Sequence, residues 1–329
     1  MSAAVGTLGP PVWRKTSPHL GILVVDTSDQ RRAALGDALR AGLDAEVQLC
    51  ATLPERDEAW DVVIVDAQAV PHCDTDAVYR RFDHQRAQGT FIVRVPSSER
   101  NDVARWLERG AHHLICREEP HADADAVSAV RKLLWTGAAG PECYLQQDAR
   151  TWRLSLSDSR EKTQVFELCR DMERILGLGK RKREALETIC EEFVTNAFYN
   201  APVDASGARR FAHFSRRDPV KLDPGETIEV LMAADSERVA VSVADPFGSI
   251  LPETVAGYLS KCLHRGDDQV DSKRGGAGLG LFFVYQSVSH LAVNIAPGRR
   301  TEMIGFIDLS VTAGSIQRRA HSLGLFVTT

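Results

Sequence analysis

No apolar run in this chain approaches the ~20 residues that a bilayer-spanning helix needs. The N-terminal MSAAVGTLGPPVWRKTSPH also lacks the hydrophobic core of a signal peptide. There is no CxxC pair and no Cys/His spacing suited to zinc. The seven cysteines are odd in number and scattered from Cys50 to Cys262, which fits buried thiols in a reducing compartment rather than a disulfide framework. A dominant charge is lacking as well: 40 Lys+Arg against 45 Asp+Glu leave a net charge of −5, no global reason to expect nucleic-acid binding. Internal repeats and low-complexity tracts are missing. These absences lead to the expectation of a cytoplasmic protein with neither membrane nor nucleic acid among its partners. What remains is ordinary for a soluble protein, 43% hydrophobic and 26% charged, and 329 residues suffice for two domains with cores of their own.

The chain divides near residue 140. Residues 1–18, with Pro10, Pro11 and Pro18, read as a flexible leader. Over 19–136, strand and helix patterns alternate. LGILVVD (20–26), WDVVIVD (60–66), TFIVRV (90–95) and HHLIC (112–116) are short apolar runs, two of them closed by an aspartate. DQRRAALGDALRAGL, DVARWLERG and DADAVSAVRKLLW read as their helical partners. That alternation predicts a doubly wound parallel sheet with helices on both faces. TGAAGPEC (136–143) opens a linker taken to run over 137–150. In 151–329 the order changes to TWRLSLS as a half-buried strand, two long helices, the antiparallel pair TIEVLMAAD and RVAVSVAD, another helix, and the closing strands LAVNIAP and EMIGFIDLSV. Helices gathered beside an antiparallel sheet make an α+β sandwich.

Three features of the second half bear chemistry. In REALETICEEFVTNAFYNA, the residues Leu186, Ile189, Cys190, Phe193, Val194 and Ala197 form the apolar stripe, while Glu192, Asn196 and Asn200 share another face, each one turn from the next. An amide oxygen there can ligate Mg²⁺, and a carboxylate beside it can orient or deprotonate a nucleophile; taken alone, the pair also fits a solvated polar face. The strand ending in Asp245 is followed by a turn, Pro-Phe-Gly248, so that its carboxylate either accepts a hydrogen bond from an adenine amino group or starts a turn. Finally, GGAGLG places four glycines within six residues just before an apolar helix, a loop whose amides can approach phosphate oxygens.

Glu-x-x-x-Asn on a helix, Asp closing a strand, and GxGLGL opening a helix, in that order, resemble the GHKL (Bergerat) family of ATP-binding domains. PGRRTEMIGFIDLS is similar to that family's closing strand, and the resemblance covers about 151–312. It implies ATP and Mg²⁺ as cofactors, Glu192 as the catalytic base or water-orienting residue, and Asn196 as the Mg²⁺ ligand. Asn200, Asp245, Gly248, Gly276, Gly278, Leu279, Gly280 and Thr301 would contact the nucleotide, with Asp245 reading adenine, and 251–274 would be a mobile lid. Two departures stand out. The family's Asp-x-Gly-x-Gly is Asp245-Pro-Phe-Gly248-Ser249 here, and no histidine occurs over 158–190, which excludes an ordinary histidine kinase. The remaining likeness is to anti-sigma-factor serine kinases, whose partners are small regulatory proteins phosphorylated on serine or threonine.

LGILVVDTSDQRR and DVVIVDAQAVP resemble response-regulator receiver domains over about 19–135. This implies Asp66 as phosphoacceptor, Asp26 and Asp66 as Mg²⁺ ligands, and a phosphodonor histidine kinase as partner. The second acid is Thr27 here, the switch hydroxyl is Val95, and Arg117-Glu118 replaces the lysine-proline pair. Two alternatives stay open, a phosphorylatable receiver and a pseudo-receiver that serves as a docking or homodimerisation platform. For the whole chain, a receiver-like domain regulating a GHKL serine/threonine kinase stands against a non-catalytic signalling scaffold.

Overall fold

The computed structural model describes residues 4–7, 20–54, 60–70, 78, 80–98, 100–134, 140–211, 213–265, 279–310 and 320–328. After a short strand β1 (Ala4–Thr7), the N-terminal half has strands β2 (Leu20–Val25), β3 (Ala45–Cys50), β4 (Val62–Asp66), β5 (Phe91–Val95) and β6 (His113–Cys116), all parallel, in the order β3-β2-β4-β5-β6. Their order reverses between β2 and β4, and the carboxyl ends of the strands at such a reversal are where doubly wound sheets form sites. Helices α1 (Asp29–Gly42), α2 (Asp83–Ala87), α3 (Arg100–Glu108) and α4 (Ala122–Leu134) flank the sheet. The apolar runs of β2, β4 and β5 are buried on both faces, which is why they carry no alternation. Strand β3 lies at the sheet edge and is only half-buried, so AEVQLC gives no such run and was not among the expected strands.

The C-terminal half contributes β7 (Arg150–Leu156), α5 (Lys162–Leu176), α6 (Lys180–Thr195), β8 (Ile228–Ala234) and β9 (Arg238–Asp245). Then come α7 (Pro252–Arg265), α8 (Leu279–Ser287), β10 (His290–Ala296), β11 (Arg300–Asp308) and β12 (Ser322–Val327). Its strands run in the order β7-β8-β9-β11-β10-β12. Helix α5 stops where Gly177 takes a φ of +63°, a left-handed cap.

The two halves are not separate sheets. Strand β12 pairs parallel with β10 along its whole length and antiparallel with β6 through Leu323–Leu114 and Gly324–His113, so twelve strands form one continuous sheet. The hydroxyl of Ser322 accepts from the backbone N–H of Cys116 at 3.0 Å, and the Tyr285 hydroxyl donates to the His321 carbonyl at 2.7 Å. One apolar core then runs under α3, α5, α6, α7 and α8 on a single face, and a second lies under α1, α4 and the segment carrying Tyr144, Leu145 and Ala149.

Three expectations change here. The leader is not wholly unstructured: β1 pairs antiparallel with β7 at the sheet edge, where the unpaired N–H and C=O groups of β7 offer a template. The linker is not an exposed tether over 140–149, because Pro141, Tyr144, Leu145 and Ala149 are buried against the sheet. The first part of the supposed mobile lid is the packed helix α7, with Val255, Leu259 and Leu263 in the core, while 266–278 lie outside the described residues.

A buried ionic cluster also joins the halves. Arg238 on β9 donates two hydrogen bonds to Asp125 of α4, at 2.6 and 2.9 Å, and a third to Asp308 of β11 at 2.9 Å. The His290 ring of β10 lies 3.1 Å from Asp125, and all four residues are about 2% exposed or less. Burial pushes the Asp125 carboxyl up, but Arg238 and His290 outweigh it and hold it well below its ordinary range. No helix among the described residues is long and apolar enough to cross a membrane.

Candidate functional site

Helix α6 ends in a wider π-type turn over Asn196–Asn200, in which the Ala201 N–H bonds the Asn196 carbonyl at 2.9 Å. Such turns recur at functional sites because they re-aim side chains without breaking the helix. The row expected from the sequence is present as a hydrogen-bonded chain. Asn196 Nδ2 donates to Glu192 Oε1 at 2.8 Å, and Asn200 Nδ2 donates to Asn196 Oδ1. Glu192 is buried, at 8% exposed.

This row forms one wall of a cleft that also holds Asp245 and Thr301, with Val243, Leu281 and Met303 as its apolar lining. About 710 Å³ of empty space lies within it, part of it open to solvent. Asp245 and Thr301 face each other in antiparallel register across β9 and β11. The Asp245 carboxylate accepts from the Phe247 N–H at 2.9 Å, and burial pushes its pKa up to about 6. The Thr301 hydroxyl is buried and has no hydrogen-bond partner among the described residues. A buried hydroxyl without a partner costs free energy that a ligand or an ordered water can recover.

The glycines near the cleft have steric reasons. Gly248 takes a φ of +57°, and a Cβ there would lie 2.2 Å from the Ala296 carbonyl oxygen. The shift of this glycine relative to the expected pattern therefore reflects packing of the turn against the β10–β11 hairpin, where Gly298 donates to the Gly248 carbonyl at 3.1 Å. Phe247, at a position where a glycine is expected, is buried, with the Arg210 guanidinium 5.3 Å from its ring centre. At Gly280 a Cβ would come within 2.0 Å of Glu192 Oε2, so the first turn of α8 sits directly against the carboxylate. Leu279, beside it, is partly buried and packs on the core. Gly276 and Gly278 lie outside the described residues.

Glu192 also lines an outer groove, together with Phe166, Glu187, Thr188, Glu191, Gly280 and Phe283. The carboxylate thus stands between the cleft and a surface accessible to another molecule. The segment 206–221, SGARRFAHFSRRDPVK, is rich in basic residues. It is held down by Arg210, paired with Asp223 and Glu226, and by the Tyr199 hydroxyl, which donates to the Asp218 carbonyl at 2.7 Å. So fixed, it brings Arg209 to the cleft and Arg216 to within 3.9 Å of Glu192. The run of basic residues was visible, but nothing in the sequence tied it to Glu192.

In the N-terminal half, Asp26 and Asp66 meet at the carboxyl ends of β2 and β4, both essentially fully buried. Each is paired with an arginine. Arg31, in the first turn of α1, donates to both oxygens of Asp26 at 2.7 and 3.0 Å and lies 3.9 Å from Asp66. Arg117 donates through one nitrogen to both Asp66 oxygens, at 2.6 and 2.7 Å, and through another to Gln68 at 2.8 Å. The Gln68 and Ser28 N–H groups cap the same carboxylates, at 2.9 and 2.8 Å. Two guanidinium groups therefore neutralise the acids expected to hold Mg²⁺, and these residues as arranged do not fit the ion. No cluster of three or more His, Cys, Asp or Glu suited to a metal occurs among the described residues.

Known proteins add little. The crystallised response regulator ChrA of a haem-sensing two-component system is similar at 18% identity and a TM-score of 0.28, over 55% of this chain and 91% of that one. That likeness is too slight to carry an argument. No family model matches the sequence, and no curated protein matches it.

Proposed function

We propose that the cleft binds ATP with Mg²⁺, that the C-terminal half is a GHKL-type domain of the anti-sigma serine/threonine kinase kind, and that the N-terminal half is a phosphorylation-independent pseudo-receiver governing it. The observation that carries the reading is the meeting of the Glu192–Asn196–Asn200 row with Asp245 and the unpartnered Thr301 hydroxyl in one cleft. Adenine fits the Asp245 end, since a carboxylate with a pKa near 6 is mostly ionised at neutral pH and accepts from an amino group. Asn196 Oδ1 would ligate Mg²⁺, and Gly280 would let the backbone come close to the phosphates. The bound nucleotide supplies the transferable phosphoryl group, and Mg²⁺ neutralises its charge. Glu192 would take the proton of a hydroxyl entering from the outer groove, with Asn196 Nδ2 fixing its other oxygen.

Regulation by the N-terminal half draws support from helix α7. Helix α7 packs on α3, where Glu108 accepts from the Ser260 hydroxyl at 3.1 Å and meets the His264 ring at 2.7 Å. A signalling partner bound to the N-terminal half would thereby act on α7, which lines the cleft through Thr254 and Tyr258. Pairing of Asp26 and Asp66 with arginines supports a pseudo-receiver over a phosphorylatable one. Acetyl phosphate with Mg²⁺ is therefore expected to leave the intact mass unchanged; an adduct that Asp66→Asn removes would restore the phosphorylatable receiver.

Calorimetric titration with ATP, with and without Mg²⁺, tests the main reading. Micromolar binding that requires Mg²⁺ and weakens roughly tenfold or more in Asn196→Ala is expected, about the worth of a charge-assisted contact. Absence of heat at any concentration would favour the second reading, a non-catalytic pair of interaction domains. The observation on its side is the Asp245-Pro-Phe turn, filled by a buried phenylalanine.

A further inference from the structure

We infer that Arg209 and Arg216 are the phosphate-reading cations of the cleft, contributed by the segment after α6 rather than by α6 itself. The inference rests on the nucleotide reading above and names residues that reading does not use. The cleft carries two carboxylates, Glu192 and Asp245, and a polyphosphate entering beside them requires compensating positive charge close by. Helix α6 offers none at its end, since Phe198 and Tyr199 are buried and Asn200 is neutral. Among the described residues lining the cleft, Arg209 is the one cation.

Its position is built rather than incidental. Asp204 closes a turn by accepting from the N–H groups of Ser206 and Ala208, and Val203 bridges to Arg209 as an antiparallel pair. The next residue, Arg210, is clamped by Asp223 and Glu226 and stacks on Phe247, which fixes the backbone on both sides of the Arg209 side chain. Neither ionic anchor uses Arg209, whose guanidinium stays exposed at the cleft mouth.

Arg216 is held differently. At 3.9 Å from Glu192 Oε2 and half-exposed, it makes a charge pair too long for a hydrogen bond, so little is lost when it turns to a stronger acceptor. A terminal phosphate beside Glu192 is such an acceptor, and a guanidinium forks onto it with two parallel bonds. The two arginines thus read different parts of the chain of phosphates. Arg209, which lines the cleft with Asn196 and Asn200, serves the phosphates common to ADP and ATP; Arg216, at Glu192, serves the terminal one.

The test is calorimetry with adenosine, ADP and ATP, with Mg²⁺, on the full chain and on its Arg209→Ala and Arg216→Ala variants. Adenosine affinity and the unfolding midpoint should be unchanged in both. Arg209→Ala should weaken ADP and ATP roughly 10- to 100-fold, and Arg216→Ala should weaken ATP by a similar factor while sparing ADP. Arg209→Lys, which keeps the charge, should recover part of the loss. Wild-type affinity for ADP and ATP in both variants overturns this inference alone. Failure of the unaltered protein to bind any of the three removes the nucleotide reading and this inference with it.

Discussion

Asp125→Ala is expected to destabilise the protein by about 3–5 kcal/mol, because it leaves the Arg238 guanidinium and the His290 ring buried without their shared acceptor. The residue belongs to α4 of the N-terminal half, whereas Arg238, His290 and Asp308 stand on β9, β10 and β11. The loss therefore falls on the seam between the halves. Urea unfolding followed by fluorescence should show a lower midpoint, and the single transition should split as the halves come apart first. Replacing Asp125, Arg238 and Asp308 together with apolar residues of similar size should recover most of the loss, since a buried ion cluster costs nearly as much to desolvate as it returns. A change below about 1 kcal/mol in Asp125→Ala would mean that the cluster is wet in solution, in the range of exposed pairs. Because Asp125 titrates below its unfolded value of about 3.9, its contribution is complete above that pH and is lost only as acid approaches the folded value.

Glu192→Gln is expected to lower phosphoryl transfer from ATP by 10²- to 10⁴-fold, the usual worth of a positioned general base. ATP affinity should stay within about threefold of the unaltered protein, since glutamine keeps the size of the side chain and an oxygen for Asn196 Nδ2 to bond. The split between turnover and affinity is the informative part. A group that bound substrate and transition state alike would change affinity, whereas one used only in the transition state changes the rate. Unchanged turnover in Glu192→Gln would remove this carboxylate from the chemistry and leave the cleft as a binding site. The wall shared by the cleft and the outer groove is the structural reason to expect a large effect, since no other carboxylate among the described residues lines both.

How much of this was legible beforehand varies by element. The apolar runs of β2, β4, β5 and β6 and the amphipathic stripes of α5 and α6 could be read directly, because burial on one or both faces writes itself into local periodicity. The shared face of Glu192, Asn196 and Asn200 followed from helical spacing, and their hydrogen-bonded chain agrees with it. Strand β3 escaped because an edge strand, half-buried, carries Glu46 and Gln48 where a central one would be apolar. Strand β12 escaped for another reason: SLGLFV is apolar enough, but its partners β6 and β10 lie far away in sequence, and pairing across such distances leaves no local signature.

The sequence by itself determined which residue types were available for chemistry and where the central strands and the long amphipathic helices lie, since residue type and spacing are local properties. Only the tertiary structure decided what those residues face. It put Arg31 and Arg117 onto the two aspartates where a cation was expected, and Gly280 against Glu192. It also folded a basic segment over the cleft mouth and made one sheet of two halves through a strand at the end of the chain. Charge pairing and close packing depend on distances of a few ångströms between residues far apart in sequence, and those distances exist only once the chain has folded.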